Sequence, residues 1–294
     1  MWYSKYLQVF NRPVTEFPHT VKQDIANKIN KANKRLETEK PLCSVVAIAH
    51  NEETHILGCL WSLTDNICDF PIEIIVVNNN STDSTEQLLK DVGVTYYNES
   101  RQSPGFARQC GLDAAQGKYH ICIDSDTLYP PHYIATHVKH LSNGAICTYG
   151  LWSFIPDDRH SRLGLFFYEL FRDIYLSLQN FNRPELVVRG MVLAFDTEAA
   201  RKVGYRTHIK RGEDGMMALG LKKYGKLKML KSRKARAVTC NSTLDSKGGL
   251  MTNAWLRIKK ATNLKLLFTS QAEYKDQDYN IIKPKPDDEH KNKQ

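Results

Sequence analysis

Apolar positions recur along this chain with two periods, and each change of period marks an element. Residues 1–40 are mostly polar and basic. Within them Ile25, Ile29 and Ala32 fall at helical spacing, which predicts a helix over 21–37 that Pro41 ends. SVVAIAH (44–50) is a short β-branched run and predicts a buried strand. Asn51 then stands where it can cap a helix with Glu52 and Glu53 in its first turn and Ile56, Leu57, Leu60, Trp61 and Leu63 on its apolar face. The same logic repeats. IEIIVV (72–77) predicts a second strand, and Asp83 with Glu86 three residues on has capping-box spacing for the next helix. VTYY (94–97) and YHICI (119–123) predict two more strands, with a helix over 104–115 between them. This alternation predicts an α/β fold with a mainly parallel sheet flanked by helices. In such sheets ligands bind beyond the carboxyl ends of the strands.

The second half is less regular. Residues 159–181 predict a long helix with Leu163, Phe166, Phe167, Leu170, Phe171, Ile174 and Leu178 on a broad apolar face. Such a stripe more often joins a core than forms an acceptor-binding or membrane-touching surface. Residues 186–195 read as a strand, 214–224 as a helix, LKMLK and AVTC as short strands, and 254–268 as a basic helix. The predicted organisation is a basic helical extension (1–40), one α/β domain (41–245), a basic helix (246–270) and a disordered tail (271–294).

Composition narrows the class. A chain of 294 residues, 41% hydrophobic, can bury one sizeable core. Lys and Arg exceed Asp and Glu by nine, which suits a nucleotide, a phospholipid surface or nucleic acid without choosing among them. No window reaches the ~18 apolar residues of a membrane span. The first residues lack the unbroken apolar stretch of a signal peptide. The expected location is therefore cytoplasmic, with peripheral contact to an anionic membrane at most. Seven cysteines form no CxxC pair, and several, such as Cys122, sit in apolar runs. They read as reduced, buried hydrophobes. The sequons at Asn80 and Asn241 are then expected to stay unmodified.

Two acidic motifs carry chemistry. Asp124-Ser125-Asp126 closes the fourth predicted strand, and residues i and i+2 of an extended segment face the same side. Two carboxylates there repel unless a cation joins them. Mg²⁺ uses one or two carboxylates and completes its shell with water and substrate phosphates. Alone, the motif more often marks a solvated turn, but its place after an apolar strand in a βα series favours the metal reading. Arg211-Gly212-Glu213-Asp214 opens a predicted helix, where carboxylates also serve as ordinary first-turn acids. The functional reading makes Asp214 a general base for an attacking hydroxyl.

In order along the chain, VVAIAHNEE (45–53), EIIVVNNNSTDST (73–85), GFARQCGLDAAQGKYHICIDSDT (105–127), RGMVLAFDTEAARKVGYR (189–206) and GEDGMMALGLKKYG (212–225) resemble the five motifs of family 2 glycosyltransferases. The resemblance covers roughly residues 43–240. It implies a GT-A type fold and inverting transfer from a nucleotide diphosphate sugar with Mn²⁺ or Mg²⁺. The acceptor would be a glycan or a lipid-linked saccharide in envelope polysaccharide synthesis. By the same resemblance Asp126 is the metal ligand, and Asp124 joins the metal shell or contacts the donor. Asp214 is the base, with Glu213 on the acceptor. His50, Asn51 and Glu52 line the nucleotide pocket, and Arg108 lies near the donor. One departure stands out: Asn78 and Asn79 occupy positions where the family usually has at least one Asp to read the pyrimidine ring. An Asn amide can read a uracil edge without charge assistance, and the substitution Asn79→Asp is expected to serve a uridine donor at least as well.

Two other classes remain. A nucleotidyltransferase of related fold needs a Gly-rich basic loop after the first strand, where this chain has the acidic HNEETH. A non-enzymatic protein binding nucleic acid or an anionic surface would account for the charge, but no RRM, KH or zinc-finger signature is present, and no nucleic-acid partner is expected.

Overall fold

The computed structural model describes residues 1–241, Asn280 and Ile282. The basic helix expected at 254–268 and the tail from 271 lie outside the described residues, apart from those two positions. The elements, in order, are α1 (His19–Leu36), β1 (Cys43–Ala49), α2 (Ile56–Thr64), β2 (Ile72–Asn78), α3 (Thr85–Val92), β3 (Thr95–Asn98), α4 (Pro104–Ala114), β4 (Tyr119–Asp124), β5 (Thr127–Leu128), α5 (Tyr133–Ser142), β6 (Ala145–Tyr149), β7 (Trp152–Phe154), α6 (Arg162–Asn182), β8 (Leu193–Asp196), α7 (Thr197–Val203), α8 (Glu213–Leu221), β9 (Lys226–Met229) and β10 (Ala237–Thr239).

Seven strands form one sheet in the order β3-β2-β1-β4-β8-β6-β9. The four predicted strands pair in parallel, as alternation with helices requires: β1 with β2 and β4, and β2 with β3. Central β1 is buried along nearly its whole length, matching its unbroken apolar sequence. Beyond β4 the sheet is mixed. β8 runs antiparallel to both neighbours, while β6 and β9 are parallel. The region read as one strand over 186–195 is mostly 3-10 turns, with β8 starting only at Leu193. A second sheet, β5-β10-β7, sits beside the end of β4.

Helix starts follow local chemistry. Ser103 accepts from the Gly105 N–H at the start of α4, with Pro104 at the first helical position, and Asp196 does the same for α7 through the Ala199 N–H. The expected cap at Asn51 is not made. Asn51 is left-handed (φ 55°) and α2 begins only at Ile56. The capping box at Asp83 is also replaced. Asp83 accepts from the Thr85 and Glu53 N–H groups, while Glu86 accepts from Tyr96 and pairs with Lys90. Gly111 lets α4 lie on the sheet, because a Cβ there would come within 2.4 Å of Val46.

Residues 1–40 pack into the same core. Tyr6, Val9, Phe10, Val21, Ile25 and Ile29 are buried. The Tyr6 hydroxyl donates to Asp65 (2.9 Å) and the Trp61 indole N–H to Asp24 (2.8 Å), tying this segment to α2.

The largest departure is α6. Its expected inward face is turned out: Leu163, Phe166, Phe167, Leu170, Phe171, Ile174, Leu178 and Phe181 are exposed, and Arg172 is 1% exposed. The stripe was legible, but not its direction. That was decided by polar partners on distant elements. Arg172 donates to the Trp152 carbonyl, and Glu169 accepts from Ser153 and the Phe154 N–H.

Candidate active site

The carboxyl ends of β1, β2 and β4 open into a cleft of ≈ 480 Å³. Its walls include His50, Glu52, Asn79, Arg108, Asp124, Asp126, Glu213 and Asp214. Eight of the ten sequence-derived candidates thus converge, drawn from five separate segments.

Arg108 organises the floor. It is 2% exposed, although it lies on the α4 surface that faces the sheet edge. Its Nη1 donates to the Ile123 carbonyl (2.9 Å), its Nη2 donates to Asp124, and its Nε lies 3.6 Å from Asp214. Burial alone would favour a neutral guanidine, but Asp124 and Asp214 hold Arg108 firmly protonated. Gly190 makes this triad possible. A Cβ at that position would sit 2.2 Å from Arg108 Nη2 and 2.6 Å from Asp214 Oδ2. The Gly190 N–H also donates to Asp214. The Tyr129 hydroxyl joins the two halves of the site, 3.1 Å from the Asp124 N–H and 3.0 Å from the Met191 carbonyl.

The acids carry more negative charge than Arg108 offsets. Asp124 is pushed above the ordinary carboxylate value by burial and, against the pull of Arg108, by Asp126. Asp126 is pushed up by burial and then by Glu52, with the Cys240 thiol and the Thr127 hydroxyl donating to it. This unrelieved pair of carboxyls fits a divalent cation. Among the described residues no group of three or more His, Cys, Asp or Glu side chains is arranged to hold a metal alone. Asp126 and Asp124 would therefore share it with phosphate oxygens and water. Glu213 is pushed up to about 7 by burial and by Asp214. Asp214 is raised by burial, with Arg108 pulling the other way.

His50 Nδ1 lies 2.8 Å from the Asn79 carbonyl and Nε2 2.7 Å from the Gln102 amide nitrogen. A carbonyl only accepts and an amide NH₂ only donates, so in this arrangement His50 donates from Nδ1 and accepts at Nε2. Glu52, at the β1 side of the cleft, accepts from His55 (2.8 Å).

A model of glycosyl transferase family 2 matches residues 44–202, more than half of the chain. The chain belongs to that family. It is 30% identical over 125 residues to an uncharacterised glycosyltransferase of Haemophilus influenzae, covering 39% of this chain and 48% of that one. The chain spans less than half the length of the curated relatives it matches. In fold it is similar to the mannosyltransferase PcManGT of Pyrobaculum calidifontis, solved with GDP-Man and Mn²⁺ (TM-score 0.53, 21% identity, 85% of this chain and 74% of that one). It is also similar to glucosyl-3-phosphoglycerate synthase of Mycobacterium tuberculosis, solved with Mn²⁺, UDP-Glc and phosphoglyceric acid (TM-score 0.50, 20% identity, 83% and 85%). The fold is of the GT-A type.

Asn51 and Asn78 are not among the residues that line the cleft. Asn51 accepts from the Thr82 N–H and its own N–H donates to Ser81, clamping the loops after β1 and β2. Asn78 donates to Asn98 (2.8 Å) across the β2–β3 edge. Asn79 lines the cleft, and its amide makes three of the four hydrogen bonds open to it. It donates to the Glu99 and Arg101 carbonyls and accepts from the Ser103 N–H. In this family 2 chain, Asn79 holds the 99–103 loop in place. Gln102, Ser103, Ser125 and Cys240 were not among the sequence candidates. Gln102 and Ser103 follow β3, and the rule placing ligands at carboxyl ends of parallel strands would have pointed to them.

Proposed function

We propose that this chain transfers a sugar from a nucleoside diphosphate donor to a hydroxyl acceptor with inversion. The carrying observation is the double pairing of Arg108, which puts Asp124 and Asp214 on two sides of one guanidinium within a single cleft. Donor-side and acceptor-side acids are thereby fixed at working distance. Inside that frame Asp126, with Asp124, would hold Mn²⁺ or Mg²⁺, which when bound neutralises charge on the departing diphosphate. Relatives in fold that were solved with Mn²⁺ and sugar nucleotides support this assignment.

Asp214 is the general base. The acceptor oxygen bonds to the anomeric carbon as the bond from that carbon to the phosphate oxygen breaks, and the acceptor proton passes to Asp214. Burial makes Asp214 more basic than an ordinary aspartate, while Arg108 keeps it ionised for the task. Glu213 beside it, raised to about 7, can hold a proton and orient the acceptor. His50 and Glu52 face the donor from the β1 end. The acidic Glu52 in that position also argues against a triphosphate-cradling nucleotidyltransferase. The acceptor is a glycan or a lipid-linked saccharide, the role one of envelope polysaccharide synthesis, and no nucleic acid takes part.

Asp214→Asn tests the reading, because it preserves shape and removes basicity. Donor binding by calorimetry should survive while turnover falls by about 10²-fold or more. The anomeric proton of the product from an α-linked donor should report a β linkage. Retained configuration, or normal turnover in Asp214→Asn, would sink the mechanism.

A further inference from the structure

We infer that the outer face of α6 docks flat on an anionic lipid surface. Every side chain of residues 163–181 that is exposed in the described structure is apolar, and four of the eight are phenylalanines. Phe171 is 68% and Phe181 87% exposed. Glu169, Arg172 and Asp173 of the same helix point the other way. Arg172 lies under the Trp152 ring (4.5 Å) and pairs with Asp173 (2.8 Å), which also pairs with Arg236. Glu169 accepts from Ser153 (2.7 Å) and the Phe154 N–H (2.8 Å). The helix is thus inside out, with its charges paired against the protein and its hydrocarbon turned outward. A helix that met only water would lose stability in that arrangement, since apolar area gains from leaving water and paired charges gain little from burial.

The shape and rim of the face match a membrane interface. At 1.5 Å per residue its 21 residues run about 30 Å. No helix among the described residues is long and apolar enough to cross a membrane, so the contact lies in the plane. At the amino-terminal end a groove holds Phe166 beside Met1, Trp2, Tyr3, Arg162 and Arg233. Indole and phenol rings suit the headgroup level, and arginines suit anionic phosphates. Both acids of the helix, Glu169 and Asp173, are engaged inward with Ser153 and Arg236. This surface does not depend on the transfer chemistry.

Flotation of the full chain with vesicles decides it. At low salt the protein should float with phosphatidylcholine–phosphatidylglycerol vesicles, and less with phosphatidylcholine alone or at high salt. The variant Phe166→Ser/Phe171→Ser/Phe181→Ser should lose about tenfold or more of the bound fraction, with its melting temperature and metal-dependent UDP binding unchanged. A second probe, Phe171→Trp, should be quenched by brominated lipid in anionic vesicles. Four results would overturn the inference. They are a wild-type protein that binds no vesicle, a triple serine variant that binds as wild type, an unquenched indole in Phe171→Trp, or a dimer that ignores vesicles and dissociates in the triple variant. The last would assign the face to a second copy.

Discussion

The Arg108 guanidinium stands 3.6 Å from the Asp214 carboxylate while its far nitrogen donates to Asp124, so a single buried cation serves both acidic motifs. The two motifs are 90 positions apart in sequence (214 − 124), and their joint charge state is set by that one side chain.

Removing the cation leaves Asp124, whose side chain is 36% exposed, and the half-buried Asp214 without their charge partner. Arg108→Met should therefore destabilise the domain by about 1–3 kcal/mol, less than a fully buried pair would cost, a fall of roughly 2–12 °C in melting temperature. Adding Asp124→Asn should recover part of that loss, because the two groups are coupled. Thermal melts of the two single variants and the double variant check this. Additive losses would mean the pairing contributes nothing.

Metal binding provides a second test. Asp126→Ala should abolish the metal dependence of UDP and GDP binding, since among the described residues Asp126 accepts only from Thr127 and the weak Cys240 thiol. Calorimetry with and without Mn²⁺ reads the outcome directly. Identical metal-dependent binding in the variant would remove Asp126 from the ligand set.

The third prediction concerns pH. Glu213 has its folded value raised from 4.5 to about 7, so the fold binds its proton more tightly than the unfolded chain does. Its contribution to stability is complete below pH 4.5 and is lost as pH rises through about 7. Glu213→Gln carries no such loss. The unfolding free-energy difference between variant and wild type should therefore move in favour of the variant between pH 5 and pH 8, by an amount on the order of 2–3 kcal/mol. Two parallel curves across that range would show that Glu213 ionises as it does in water.

Asn79 gives the fourth. Its NH₂ donates to two carbonyls, so an aspartate there would face the Glu99 and Arg101 oxygens with a carboxylate. These bonds favour the opposite outcome to the sequence-based expectation that Asn79→Asp would serve a uridine donor at least as well. The substitution should cost about 1–3 kcal/mol and weaken donor binding through displacement of the 99–103 loop. Unchanged stability and tighter UDP binding would restore Asn79 as a base reader.

The sequence by itself determined the parallel half of the sheet. β1, β2, β3 and β4 each announce themselves through β-branched runs, and their period alternates with that of the helices between them. It also determined most of the cleft, because strand ends in such a sheet must converge, and the polar residues after β1 and β4 could go nowhere else. Three things were left to tertiary structure. The direction of the α6 stripe depended on Trp152, Ser153 and Arg236, distant partners that periodicity cannot contain. The antiparallel insertion of β8 depended on how the chain returned after that helix. The roles of Asn51, Asn78 and Asn79 depended on which carbonyls and N–H groups the loops brought to them. A side chain with both a donor and an acceptor takes its function from its neighbours, and those neighbours are 20 to 31 residues away in sequence.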